Sequence, residues 1–366
     1  MTMRSRLRRL DQFRRNHTRE IGNWFFRQLG RDRYLIKDRI PAEQTQRILI
    51  LRNNKRIGNM YFMLPFLHEL RLAYPKATID LMLIDRSQVA IFEHLGLNRV
   101  YVSDFSFGSI AAFLGTIRKC RKTVYDLLIM PHSSASDTLI GGLLHAKNKV
   151  AFHSERTACV FAHAVNQSPR SPHAALSALT LLEALGHTVS EKAEHTMRFT
   201  PQEIAHGERI VADLRGGAKH CFGYFRGARG LKIIADAHWL DVRAKFDAAT
   251  TETTATQPTL QWVEILSPDI REPLVAGTPT FASADLRELA AVTRALDLFI
   301  CGDTGPLHLA DAAGARCVGL FTATDIKHYG CLGAQTVNVT DLDALNARSL
   351  LSTLGVHSAP SSGGAA

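Results

Sequence analysis

The sequence predicts an α/β fold made of two Rossmann-like halves in tandem, and three observations carry that reading. Short β-branched or aliphatic runs alternate with helical stretches, the pattern of parallel strands joined by helical crossovers. The series occurs twice, with a break at Gly216 and Gly217. A length of 366 residues gives room for two domains of ordinary size.

In the first series the predicted strands are Ile48 to Leu51, Ile79 to Ile84, Val100 to Val102, Asp126 to Met130 and Lys149 to Phe152. A polar, helix-rich stretch from about 168 to 215 follows. The second series runs through Cys221 to Phe225, Leu260 to Leu266, Leu298 to Cys301, Cys317 to Phe321 and Thr336 to Val339. Domains are therefore expected at 41–215 and 216–356, with a Thr-rich loop from Thr250 to Thr259 and a frayed tail at 357–366.

Composition excludes several classes. Hydrophobic residues at 46% and charged residues at 21% do not suit a disordered chain, a collagen or a coiled coil. No apolar run approaches the roughly 20 residues that cross a bilayer, and no secretory signal is recognisable. Six cysteines without a CxxC pair read as reduced thiols, which fits a cytoplasmic protein. The sixteen histidines form no HExxH and no Cys/His cluster, so neither a metal nor a cofactor is expected.

The net charge of +10 is unevenly placed. Residues 1–40 hold twelve Lys or Arg against four Asp or Glu, a net of +8, so the other 326 residues carry only +2. Within this segment Leu7, Leu10, Phe13, Ile21, Trp24, Phe25 and Leu29 recur at helical spacing with arginines between them. A basic amphipathic helix results, suited either to an anionic membrane surface or to packing on its own protein. Nucleic-acid binding is not favoured, because the folded body is nearly neutral and lacks a recognisable nucleic-acid motif.

Ligands of open parallel sheets bind beyond the carboxyl ends of the strands, so the loops there are the places to look. After the first strand comes Arg52-Asn53-Asn54-Lys55-Arg56-Ile57-Gly58-Asn59, then an apolar helix. Gly58 permits close approach to the helix N-terminus, where the dipole favours an anion, or else serves only the turn. After the strand ending at Cys301 comes Gly302-Asp303-Thr304-Gly305-Pro306-Leu307-His308. Pro306 fits the first helical turn, Thr304 is expected to cap it, and Gly305 admits a diphosphate to the backbone N–H groups.

The run from Asp303 to Ala310, with Ala313-Gly314 and Val318 to Asp325, resembles the C-terminal signature of the family 9 glycosyltransferases, the ADP-heptose:lipopolysaccharide heptosyltransferases. Arg47 to Arg52, Ile57-Gly58, Leu64-Pro65 and the stretch Leu70 to Leu81 are similar to that family's opening, and Tyr125 to Ile129 to its fourth strand. The resemblance spans about residues 47 to 345 and leaves the first 40 outside it.

It implies the GT-B architecture, two Rossmann-like domains facing across a cleft, with donor on the C-terminal half and acceptor on the N-terminal half. It implies metal-independent, inverting transfer of a sugar, heptose first, from a nucleotide-diphosphate donor such as ADP-heptose to a lipopolysaccharide core or related glycolipid. That places the chain on the cytoplasmic face of the inner membrane, with residues 1–40 on the anionic surface. By motif, Thr304, Gly305 and Lys232 would hold diphosphate, Asp303 would contact the sugar, His308 would order the site, and Glu272 would lie near the donor ribose. The family's tryptophan follows its lysine closely, whereas here Trp239 comes seven residues after Lys232.

The main departure is Asn59, standing where the resemblance expects an aspartate as general base. An amide cannot take a proton at neutral pH. Three readings stay open: His132 or Asp137, just past the strand ending at Met130, acts as base; Asn59 orients the acceptor while leaving-group stabilisation drives transfer; or the chain binds a sugar nucleotide without transferring it. A nicotinamide-dependent oxidoreductase is disfavoured because no GxGxxG opens the first helix.

Overall fold

The structure is a computed structural model that describes residues 24–103, 110–166, 168–251 and 259–356. Leu7, Leu10, Phe13 and Ile21 of the expected amphipathic helix, most of the Thr-rich loop and the expected tail at 357–366 lie outside the described residues.

Two all-parallel sheets of six strands form the frame. The first comprises β1 (Arg47–Arg52), β2 (Thr78–Leu83), β3 (Arg99–Val102), β4 (Tyr125–Met130), β5 (Ala146–Phe152) and β6 (His163–Val165), in the order β3-β2-β1-β4-β5-β6. The second comprises β7 (His220–Phe225), β8 (Leu260–Ile265), β9 (Thr280–Phe281), β10 (Leu298–Gly302), β11 (Cys317–Leu320) and β12 (Thr336–Val339), in the order β12-β11-β10-β7-β8-β9. Every residue of β4 and β10 is buried, and apart from Asp126, which is paired with Lys147, these strands are apolar runs with both faces covered. The ten strands expected from sequence are present, and the short edge strands β6 and β9 are the two it did not mark. Three residues and two residues make too little pattern to recognise.

Helices wrap both sheets: α1 (residues 24–29), α2 (Gly58–Tyr61), α3 (Leu64–Ala73), α4 (Ile110–Cys120), α5 (Ala135–Leu143), α6 (Leu179–Ala184), α7 (Pro201–Arg215), α8 (Asp236–Thr250), α9 (Leu286–Ala295), α10 (Gly305–Ala312), α11 (Ile326–Tyr329) and α12 (Ala347–Thr353). Among the described residues no helix is long and apolar enough to cross a membrane. Helix α7 starts from a capping box between Thr200 and Glu203 and stops at Gly216, whose φ of 59° is the left-handed conformation that ends helices. It lies before the junction expected at 215–216, yet packs on α9 and against β7 and β8. The chain crosses between the halves ahead of it, where the Met197 N–H donates to Ala312 O at 2.7 Å.

Residues 30–40, expected to go with a separate basic segment, are strapped to the first half. The Asp32 carboxylate, 1% exposed, lies 3.1 Å from the Lys149 ammonium, 0% exposed, and also takes the Ala146 N–H. Burial alone would raise the Asp32 carboxyl, but Lys149 and the N–H groups of Ala146 and Tyr34 hold it below its ordinary value. Ile36 N donates to Lys147 O, and Gly30 packs against the Cys159 carbonyl so closely that a side chain there would collide with it. Of α1, Phe26 joins the core while Trp24 and Phe25 stay exposed.

Where the halves meet, the ring of Phe62 lies against His308, with centroids 4.8 Å apart, and against His173. Arg287 at the start of α9 is a second tie. Its guanidinium, almost fully buried, donates to Ala90 O and Arg198 O and pairs with Glu203.

Candidate functional site

In each sheet the strand order reverses once, between β1 and β4 and between β10 and β7. Chain connections leave in opposite directions there and open a crevice at the carboxyl ends of the strands. The chemistry-bearing residues gather at these two crevices.

At the second, the turn after β10 presents Asp303, which is 3% exposed. Three side chains from three other places donate to its carboxylate. Lys232, in the turn after β7, reaches Oδ2 at 2.6 Å; Thr324, after β11, reaches the same oxygen; His308, one turn into α10, lies 3.1 Å from Oδ1. Burial acts to raise this carboxyl, but the His308, Lys232 and Thr324 hydrogen bonds outweigh it and hold Asp303 far below the usual range. Both oxygens of Asp303 thus accept hydrogen bonds, one of them from His308, which the resemblance expected to order the site.

Thr304 corrects its expected capping role. It sits at the N-cap of α10 in extended conformation, but its hydroxyl turns back to Gly302 O at 3.2 Å and makes no cap. The first turn of α10 therefore has no side-chain lid; Pro306 has no N–H to offer, the Leu307 N–H donates to Thr304 O at 3.2 Å, and the Gly305 N–H at its mouth has no hydrogen-bond partner among the described residues. Gly58 approaches the same place from the other half: a Cβ built on it would lie 3.5 Å from Cα of Gly305 and 3.8 Å from Cδ2 of His308. Asn59 is next to it in α2, half-buried.

At the first crevice, β1 ends in Arg52 and leads to Asn53, both 7% exposed. The Asn53 N–H donates to Oδ1 of Asp137 at 2.9 Å, and its side-chain oxygen takes the Ser103 hydroxyl at 2.6 Å. Asp137, fully buried in the first turn of α5, has its carboxyl raised by burial. His132, two residues past β4, is pushed down to about 3 by burial and by the Arg52 charge, so its imidazole is neutral at pH 7. The loop carrying His132 continues into the wall of a cavity of about 370 Å³ edged by Ser133, Ser134, Thr138, Ser154, Arg156 and Thr157.

Of the residues singled out in sequence, Asp303, Lys232 and His308 come together directly, and Gly58 meets Gly305. Glu272 is exposed in the loop after β8, tied to the body by Arg226, which donates to its carbonyl and pairs with the buried Glu264. Trp239 is 1% exposed in the core of the second half, its ring 5.9 Å from that of Tyr224. Sequence reasoning missed Thr324 and Arg52. Both stand in the motifs quoted above, but Thr324 meets Asp303 from 21 residues away and the Arg52 charge acts on His132 from 80 residues away, for which no local signal exists. Among the described residues one His/Glu group, Glu93, His94 and Glu203, brings its ligand atoms within 4.8 Å of one another. The Glu203 carboxylate in it is already taken by Arg287 and by the Thr200 N–H.

Comparison with known proteins gives a consistent answer. The family described as Glycosyltransferase family 9 (heptosyltransferase) matches residues 270–353. The chain is 25% identical over 290 residues to Lipopolysaccharide heptosyltransferase 3 of Escherichia coli, covering 73% of this chain and 81% of that one. Its fold is shared with a glycosyl transferase family 9 protein from Veillonella parvula at a TM-score of 0.70 and 18% identity, over 87% of this chain and 98% of that chain. It is shared also with E. coli heptosyltransferase WaaC, solved with ADP, at a TM-score of 0.65 and 16% identity, over 85% and 99%. The family match covers the turn built around Asp303, the relative extends over 73% of the chain, and the fold is shared with both solved structures; each comparison finds the chain similar to glycosyltransferase family 9, the heptosyltransferase family.

Proposed function

We propose that the protein transfers a heptose from ADP-heptose to a lipopolysaccharide core or related glycolipid, with inversion and without a metal. The observation that carries this reading is the Asp303 cluster, in which one buried carboxylate holds Lys232 and His308 beside the uncapped first turn of α10. A leaving diphosphate there would meet backbone N–H groups, the dipole of α10 and the Lys232 ammonium, so the charge that develops on bond cleavage is stabilised without a metal ion. Thr304 and Gly305 would line the diphosphate. Glu272, exposed on its loop, is assigned to the donor ribose.

On the acceptor side, Asn59 would orient the attacking hydroxyl and His132 would take its proton as the oxygen attacks the anomeric carbon. Asn59 stands in α2 beside the Gly58–Gly305 contact, and His132 two residues past β4. The basic segment at the N-terminus is assigned to an anionic membrane surface, supported by exposed Trp24 and Phe25 at its described end. It enters the first half at Gly30, packed on Cys159, two residues from the cavity wall at Thr157. A glycolipid head group would thus be met close to the membrane.

The test is turnover by the purified full chain with ADP-heptose and heptose-deficient lipopolysaccharide, with and without EDTA, and NMR of the new anomeric centre. Turnover that persists in EDTA and inverts the anomer is expected. Retention of configuration, or ADP binding without turnover, would overturn the transferase mechanism as stated.

A further inference from the structure

Helix α4 meets the first sheet with Phe113, Ile117 and Cys120, all buried. Its outward side has two zones. Ile110, Ala111, Ala112 and Leu114 are exposed, Ile110 at 47% and Leu114 at 57%, so the start of the helix shows only apolar groups to solvent. Arg118, Lys119, Arg121 and Lys122 are exposed at its other end. Ile110, Leu114 and Arg118 follow at four-residue steps, which puts the two zones on one stripe. No acidic residue occurs from 105 to 125, and the carboxylate of Asp126 is engaged by the Gln46 and Arg47 N–H groups and by Lys147. Arg121 donates to the His145 ring, and Asp32 beyond it is paired with Lys149. The apolar zone also protrudes. The Thr116 hydroxyl donates to O of Val102, the last residue of β3, at 3.0 Å. A crossover helix starts beyond the carboxyl end of the strand it follows, so the six residues before Thr116, roughly 9 Å of helix, stand past the end of β3. A lone exposed leucine needs no account. A protruding helix end without a polar side chain, continued by cations on the same stripe, has the chemistry of a segment lying at a lipid interface.

We propose that the protruding end of α4 is a membrane-contact element, with Ile110 and Leu114 entering the acyl boundary of an anionic lipid surface while Arg118, Lys119 and Lys122 meet its phosphates. Arg118 lies about one helical turn, or roughly 5 Å, behind Leu114. That step matches a segment whose apolar end is sunk about 5–10 Å into the head-group boundary. Charge selects the occupant. The N-terminal segment, net +8 over residues 1–40, is repelled by this face, and a second copy of the chain brings the same cations to it. An anionic bilayer offers both an apolar layer and the opposite charge. The inference rests on the membrane reading above, to which it adds a second contact on the folded first half. It turns the carboxyl ends of the first sheet, and the crevice there, toward the lipid.

The test is sedimentation of the full chain with vesicles of phosphatidylcholine alone and of phosphatidylcholine with about one third phosphatidylglycerol. Two double variants are compared with the unaltered chain: Ile110→Ser with Leu114→Ser, and Arg118→Gln with Lys122→Gln. All four side chains are exposed, so both variants should keep the melting temperature of the unaltered chain. Each is expected to bind the anionic vesicles about tenfold more weakly. Binding that neither variant weakens overturns the proposal and leaves the N-terminal segment as the anchor. An effect of the charge pair alone overturns insertion of the apolar end. Weakening by both variants, together with binding that survives deletion of residues 1–23, supports α4 and counts against the N-terminal segment. No binding by the full chain overturns both contacts. A dimer in gel filtration that Ile110→Ser with Leu114→Ser converts to a monomer would assign the face to a second copy instead.

Discussion

Gly58 and Gly305, the first residues of α2 and α10, face each other across the two halves, with a Cβ built on Gly58 3.5 Å from Cα of Gly305. The reverse construction puts a Cβ on Gly305 3.8 Å from N of Gly58, an ordinary contact. Gly305→Ala should therefore fold with an unchanged melting temperature. What the methyl group occupies is the approach to the α10 N–H groups, so ADP affinity is expected to fall by about tenfold, the equivalent of one good hydrogen bond. Calorimetry on the variant checks this, and undiminished affinity would move the diphosphate away from this turn.

The back-turned hydroxyl of Thr304 separates stability from binding. A side chain that caps a helix costs about 1 kcal/mol when removed. Thr304 makes no cap, so Thr304→Ala should lower unfolding stability by under about 0.5 kcal/mol, the range of substitutions that break no special contact. ADP affinity should nonetheless weaken. A full capping penalty in urea denaturation, with ADP binding intact, would assign the residue to the helix and not to the ligand.

The buried Asp32–Lys149 pair decides how the N-terminus can be cut. Deleting residues 1–40 would remove Asp32 and strand the Lys149 ammonium, which keeps only the Gly141 and Leu144 carbonyls. Breaking a buried pair in this way costs about 3 kcal/mol. Deleting residues 1–23 leaves the pair whole. The shorter deletion should match the full chain in denaturation while losing sedimentation with anionic vesicles, and the longer one should be destabilised. Vesicle binding that survives the shorter deletion would take the membrane role from the basic segment.

Acid should weaken the joint at Arg287. Hydrogen bonding to Arg287, against the opposing effect of burial and with help from Thr200, holds Glu203 down to about 2 from an ordinary 4.5. A carboxyl lowered on folding stabilises the native state above its unfolded pKa, and that contribution is lost as pH falls from 4.5 toward 2. Glu203→Gln keeps the shape without the charge. The melting-temperature gap between the two proteins should be full at pH 7 and close progressively below pH 4.5. A gap that stays constant down to pH 3 would mean that the charge of Glu203 contributes nothing.

The sequence by itself determined the two parallel sheets, because strands buried on both faces are short, mostly apolar runs, and 298–302 and 125–130 recur among such runs in alternation with helical stretches. It also determined where to look: Asp303, Thr304, Gly305 and His308 lie within one strand-to-helix turn, at a spacing that local chemistry makes legible. Only the tertiary structure decided what these residues do. Asp303 gathers Lys232, 71 residues away, and Thr324 on one carboxylate oxygen, and Thr304 turns away from the helix it was expected to cap. Arg52 shows the limit most plainly. At the end of an apolar strand it reads as an ordinary boundary residue, and only the tertiary packing buries it, with its Nε unbonded and Asp137 of α5 as the opposing charge. Patterns of three or four residues report the local backbone, whereas a buried charge is judged by what distant segments bring to it.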